Sequence, residues 1–227
     1  MKILLAVKSC WSYKYQKSDE GAAHKSGVDE YRARAPRETW YKDWKKYYQD
    51  QLTVKFFYGT PTGDITFQEN SITLDCPDDY DNLPRKTQKI MEWAYENEYS
   101  NVMLVDDDVY IWMSRLITEI KSWQTPPTYR GHANGWFASG AAYWVDTPAM
   151  KLIISEKWRK DDTTMEDQFC GKTLGKYGIV PEHDERYHVC PCDVCLKKID
   201  TEKRITQLTS TPKMMFDLHN ATVRLIQ

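Results

Sequence analysis

V-M-L-V-D-D-D-V-Y, residues Val102 to Tyr110, is a short apolar run that ends in three consecutive acids. Four apolar residues bounded by charge read as a buried central strand. In open α/β sheets ligands bind beyond the carboxyl ends of such strands. Three adjacent carboxylates repel one another unless a cation neutralises them. Hard divalent cations prefer oxygen ligands, and Mg2+ in particular takes much of its shell from substrate phosphates. Asp106-x-Asp108 is thus a candidate Mg2+ or Mn2+ diphosphate site, with a solvated acidic turn as the alternative.

Outward from this strand, apolar segments of strand and helix character alternate, which favours an α/β layer fold in a single domain over residues 1–227. Lys2 to Val7 and Leu52 to Tyr58 read as strands. Asn82 to Glu96 reads as a helix, with Leu83, Ile90, Met91 and Ala94 roughly on one face. Asp146-Thr147-Pro148 has the form of an N-cap followed by an early helical proline. Thr163 to Leu174 reads as a further helix, closed by Gly175 and Gly178. Within it, Thr163-x-x-Glu166 and Thr164-x-x-Asp167 both fit a capping box.

The chain has 227 residues and a formal net charge of -2, so nothing in its overall charge draws it to nucleic acid or acidic membrane. No stretch approaches the roughly 20 apolar residues that span a bilayer. Met1 to Val7 carries no cleavage pattern, so the expected location is the cytoplasm, without membrane association. Six cysteines are then expected to be reduced. His188, Cys190, Cys192 and Cys195 form H-x-C-x-C-x-x-C, a possible structural Zn2+ site of tighter spacing than the usual templates.

Five segments, in order, resemble the beta-1,3-galactosyltransferase and Fringe-like family of inverting glycosyltransferases. Arg37-Glu38-Thr39-Trp40 resembles that family's R-x-T-W. Asp79 to Thr87 (D-Y-D-N-L-P-R-K-T), followed by Trp93, resembles its D-x-Y-x-N-L-x-x-K-T. Val105 to Val109 resembles its DDD motif. Ser139-Gly140 with Tyr143, and Glu166-Asp167 with Gly171, resemble its S-G and E-D segments. Two departures stand out: Ala141 and Ala142 replace glycines, narrowing the space expected near the sugar, and no membrane anchor or stem is recognisable.

The resemblance implies a GT-A type fold, a mixed central sheet flanked by helices, acting on a nucleotide-sugar donor, with a UDP-sugar favoured. Carried over by position, Asp108 would be the main metal ligand, Asp106 would contact ribose or metal, and His219 would complete the metal site. Arg37, Lys86, Asp107, Ser139 and Gly140 would bind the donor. Asp167 would be the general base, with Glu166 as its substitute. The acceptor is not written in these motifs. Trp40, Lys42, Trp44, Lys45 and Lys46 interleave rings with cations, a pattern that fits nucleic acid. The alternative is an amphipathic helix with its rings inward and its lysines facing water. A hydroxymethylated base in viral DNA is one acceptor of the first kind. A sugar- or nucleotide-binding module without turnover is the competing reading of the whole chain.

Overall fold

A computed structural model describes residues 1–10, 34–60, 69–159, 165–190 and 203–226. A seven-stranded mixed sheet runs in the order β3-β2-β1-β4-β7-β6-β8. Its strands are β1 (Ile3–Lys8), β2 (Thr53–Tyr58), β3 (Ser71–Thr73), β4 (Asn101–Asp106), β6 (Tyr129–Asn134), β7 (Phe137–Asp146) and β8 (Glu182–His183). The first four are mutually parallel, and β7 lies antiparallel to both β4 and β6. A small second sheet joins β5 (Val109–Ile111), β10 (Thr206–Leu208) and β9 (Tyr187–His188), in that order. The mixed sheet flanked by helices is the architecture expected from the sequence.

Period-two alternation along the buried strands explains the two hydrophobic cores. Ile3, Leu5 and Val7 of β1, with Met103 and Val105 of β4, face one side. There α2 (Trp40–Tyr47) and α4 (Met113–Ser122) cover them through Trp40, Tyr41, Trp44, Leu116 and Ile120. Leu4, Ala6, Val102 and Leu104 face the other side. That side is covered by α3 (Leu83–Glu96), α5 (Thr147–Ser155) and α6 (Glu166–Gly175). Helices α1 (Arg34–Glu38) and α7 (Pro212–Ile226) complete the fold.

Local chemistry fixes the helix starts. Asp146 Oδ1 accepts the Ala149 amide at 2.9 Å, the cap expected for α5. Asp79 Oδ1 accepts the Asn82 amide at 2.9 Å, so part of the D-x-x-N stretch serves the turn that leads into α3. The expected capping boxes are not what opens α6: its N-cap is Met165, with no side-chain cap bond, and Thr163 and Thr164 lie outside the described residues. Helix α6 begins at Glu166, which places both acids in its first turn.

The stretch Trp40 to Lys46 is corrected at two positions. Trp40 is fully buried and donates its indole N–H to the Val109 carbonyl at 3.0 Å. Trp44 is buried and donates to the Leu52 carbonyl at 2.9 Å. Both rings are core anchors and cannot stack on a base. Lys42, Lys45 and Lys46 are exposed, and Lys45 pairs with Glu69 at 2.5 Å. This is the amphipathic alternative, driven by indole burial with a carbonyl partner for each N–H.

Candidate active site

Strands β1 and β4 run side by side in register, Lys8 opposite Asp106, at their carboxyl ends. Both residues fall on the face covered by α6. Lys8 is 4% exposed, so its ammonium needs partners in place of water. It stands 3.0 Å from Asp106 Oδ1, pairs with Glu166 Oε1, and donates to the Gly140 carbonyl at 2.8 Å. The other oxygen of Glu166 accepts from the Tyr143 hydroxyl at 2.7 Å. Gly140 in turn donates its N–H to Asp167 Oδ2 at 3.0 Å, and the Gln168 N–H reaches Asp167 Oδ1 at 2.8 Å.

Burial and charge oppose each other here. Burial alone would lower the Lys8 pKa, but the carboxylates of Asp106 and Glu166 outweigh it and hold the ammonium charged. Burial pushes the Glu166 carboxyl up, helped by Asp167 and Asp106 and opposed by Lys8. Burial likewise raises the Tyr143 hydroxyl well above its ordinary value, so it stays a protonated donor to Glu166.

The site therefore gathers residues from three distant segments: Asp106 on β4, Gly140 on β7, and Glu166 with Asp167 on α6. Asp107 and Asp108 form the turn between β4 and β5. Asp107 points inward and accepts the Ser9 hydroxyl at 2.6 Å. The Asp108 carbonyl accepts the Thr209 amide at 2.9 Å. Lys86 sits next to these strand ends, 3% exposed, paired with Asp78 and donating to the Ser9 carbonyl at 2.6 Å. Ser139 precedes Gly140 on β7 and is half-buried.

Several assignments need correction. Glu166 is 3% exposed with both oxygens occupied, so it is a partner of Lys8 and not a substitute base. Asp107 is 4% exposed, and one of its oxygens accepts the Ser9 hydroxyl. Arg37 turns into the protein: its guanidinium lies 3.8 Å over the Phe56 ring and donates to the Glu69 carbonyl and Ser71 Oγ at 2.8 and 2.9 Å. Its donors tie α1 to the start of β3. His219 lies on α7 with Nδ1 3.3 Å from the Tyr110 hydroxyl and 3.7 Å from Asp43 Oδ2. Among the described residues no three His, Cys, Asp or Glu side chains gather to hold a metal, so His219 is not brought to Asp106 and Asp108. Ala141 and Ala142 are buried in the core. Of the cysteine cluster, His188 ends β9 and the Cys190 carbonyl accepts from Gln207 at 2.9 Å, while Cys192 and Cys195 lie outside the described residues.

The sequence reading missed Lys8. The available signal was a lysine closing an otherwise wholly apolar strand, at the end where its neighbour carries acids.

Asp106 ends β4 and Asp108 lies two residues on in the turn, both half-buried, and Asp106 Oδ1 is already held by Lys8. Carboxylates are the hard oxygen donors that a divalent cation takes. Two such ligands suit a cation that takes its remaining oxygens from diphosphate and water, not a closed all-protein cage.

The description galactosyltransferase belongs to the family model that matches residues 32–132, a little under half of the chain. No curated protein matches the chain in sequence. Among solved structures, a glycosyltransferase involved in glycosylation of the major capsid of PBCV-1 is similar at a TM-score of 0.50 and 11% identity, covering 97% of this chain and 100% of that one. A cytidylyltransferase from Leptospira borgpetersenii is similar at 0.50 and 11%, covering 92% and 82%. At such identity the likeness concerns the fold, which is GT-A-like. The family match over residues 32–132 supports a glycosyltransferase.

Proposed function

We propose that this chain, whose residues 32–132 carry the galactosyltransferase family pattern, is a metal-dependent inverting glycosyltransferase that moves a sugar from a UDP-sugar to a hydroxyl acceptor. The observation that carries this reading is the junction of the β4 acids with the first turn of α6 through Lys8 and Gly140.

Asp167 is the general base. Two backbone N–H donors aim its carboxylate, one from Gly140 and one from Gln168. A base must lie within hydrogen-bond reach of the acceptor hydroxyl. Asp167 takes the acceptor proton as that oxygen attacks the anomeric carbon. The bond to the diphosphate breaks in the same displacement, so the configuration inverts. Asp106 and Asp108 would hold Mn2+ or Mg2+, which when bound supplies charge stabilisation to the departing diphosphate. Lys86, buried at the neighbouring strand end, lies where it could turn its ammonium from Asp78 to donor phosphate.

The test is a mass-spectrometric screen of nucleotide sugars for hydrolysis, with and without Mn2+. A transferase releases free nucleotide slowly even without acceptor. Release that is absent for every donor tried, or indifferent to the cation, would sink the reading.

A further inference from the structure

Lys8 belongs to none of the five motif segments, yet three of them meet on its ammonium. Asp106 comes from the acid cluster, the Gly140 carbonyl from the Ser-Gly strand, and Glu166 from the start of α6. The lysine and Glu166 are 2% and 3% exposed at their side chains. A buried pair of this kind is weak evidence for stability, because desolvation offsets the attraction. Its geometry, by contrast, is heavily determined. Tyr143 fixes the second oxygen of Glu166, and Gly140 is held on both sides, its carbonyl by Lys8 and its N–H by Asp167. A Cβ on Gly140 would come within 2.8 Å of Glu166 Oε1, so the peptide, the helix start and the ammonium are packed against one another.

We infer that the Lys8–Glu166 pair is a positioning device that sets the distance between the acids of β4 and the Asp167 carboxylate of α6. Lys8 touches no reacting atom. It acts through Gly140 on Asp167 and directly on the rotamer of Asp106. The inference rests on the glycosyltransferase reading for its consequence in turnover, but the strut itself is a property of the fold.

The experiment compares Lys8→Met with the double variant Lys8→Met/Glu166→Leu in the full chain. The single variant strands a buried carboxylate and is expected to lower the melting temperature or fail to fold. The double variant removes the buried pair at similar volume and leaves Asp106, 34% exposed at its side chain, to water, so it is expected to fold and to lose less stability than the single variant. It is nonetheless expected to lose about 100-fold in kcat, the scale of a misplaced catalytic group, with donor KM changed far less. A double variant whose kcat stays near wild type overturns the inference. A second readout needs no turnover: amide hydrogen exchange at Gly140, whose N–H is held by Asp167, should quicken about 10-fold or more in the double variant while core amides of β1 and β4 keep their protection. Unchanged exchange at Gly140 overturns the strut. An inert wild type with a Gly140 amide that still loosens in the double variant would remove the transferase reading and leave the strut standing.

Discussion

Asp167 keeps one oxygen on the Gly140 N–H and the other on the Gln168 N–H, so two backbone donors fix the orientation of its side chain. Glu166, its neighbour in the chain, is buried against Lys8 and Tyr143. One residue of displacement along a helix turns a side chain by about 100°, and here that rotation separates a half-buried acid from a fully buried one. Asp167→Asn is expected to reduce transfer by about 10²–10⁴-fold, the usual worth of a general base, while leaving donor affinity nearly intact. Isothermal titration with the donor nucleotide alongside the rate measurement checks this; lost affinity would point to a structural role. The identity of both acids was legible in the sequence as Glu166-Asp167. Their division of labour was not, because it depends on Lys8, which lies more than 150 residues earlier in the chain.

Helix α6 is seated by a glycine. A Cβ on Gly171 would meet Phe137 Cβ at 2.4 Å and Phe137 Cα at 2.9 Å, so helix and strand β7 touch backbone to backbone. Gly171→Ala must push α6 outward, with an expected cost of about 1–3 kcal/mol in chemical denaturation, and it should impair turnover because Asp167 moves with the helix. Helix α5 makes a cleaner test of a cap. Asp146→Ala removes the acceptor of the Ala149 amide and is expected to cost about 1 kcal/mol, with turnover unchanged, since α5 carries no site residue. That cap was legible from Asp-Thr-Pro alone, because capping is local chemistry. The start of α6 was not. Threonines upstream fit a capping pattern, yet the helix opens at Met165–Glu166, where the buried carboxylate finds its ammonium. The same limit applies to Trp40 and Trp44: periodicity allows rings facing in or out, and only the carbonyls of Val109 and Leu52 decide for the interior.

Across the whole molecule, His132 and His188 are both held below the ordinary histidine pKa. Burial is the main cause for each, followed by the His183 ring for His132 and by Arg204 for His188. A group depressed in the folded state binds more protons when unfolded, so stability should fall as pH drops below about 6.5 and be flat above it. Urea midpoints at about pH 7.5 and 5.5 should show this loss, and His132→Gln/His188→Gln should shrink it. An unaltered loss would assign the acid sensitivity to other groups. The central strand, the flanking helices and the acids at the strand tip were all determined by the sequence itself, because alternation, caps and turn residues act between near neighbours. Tertiary structure alone decided which of the two acids is buried against Lys8, which aromatic rings are core, and that Arg37 braces β3 while His219 turns to Tyr110 and Asp43. The physical reason is that a buried charge must find its partner in space, and chain order does not fix that distance.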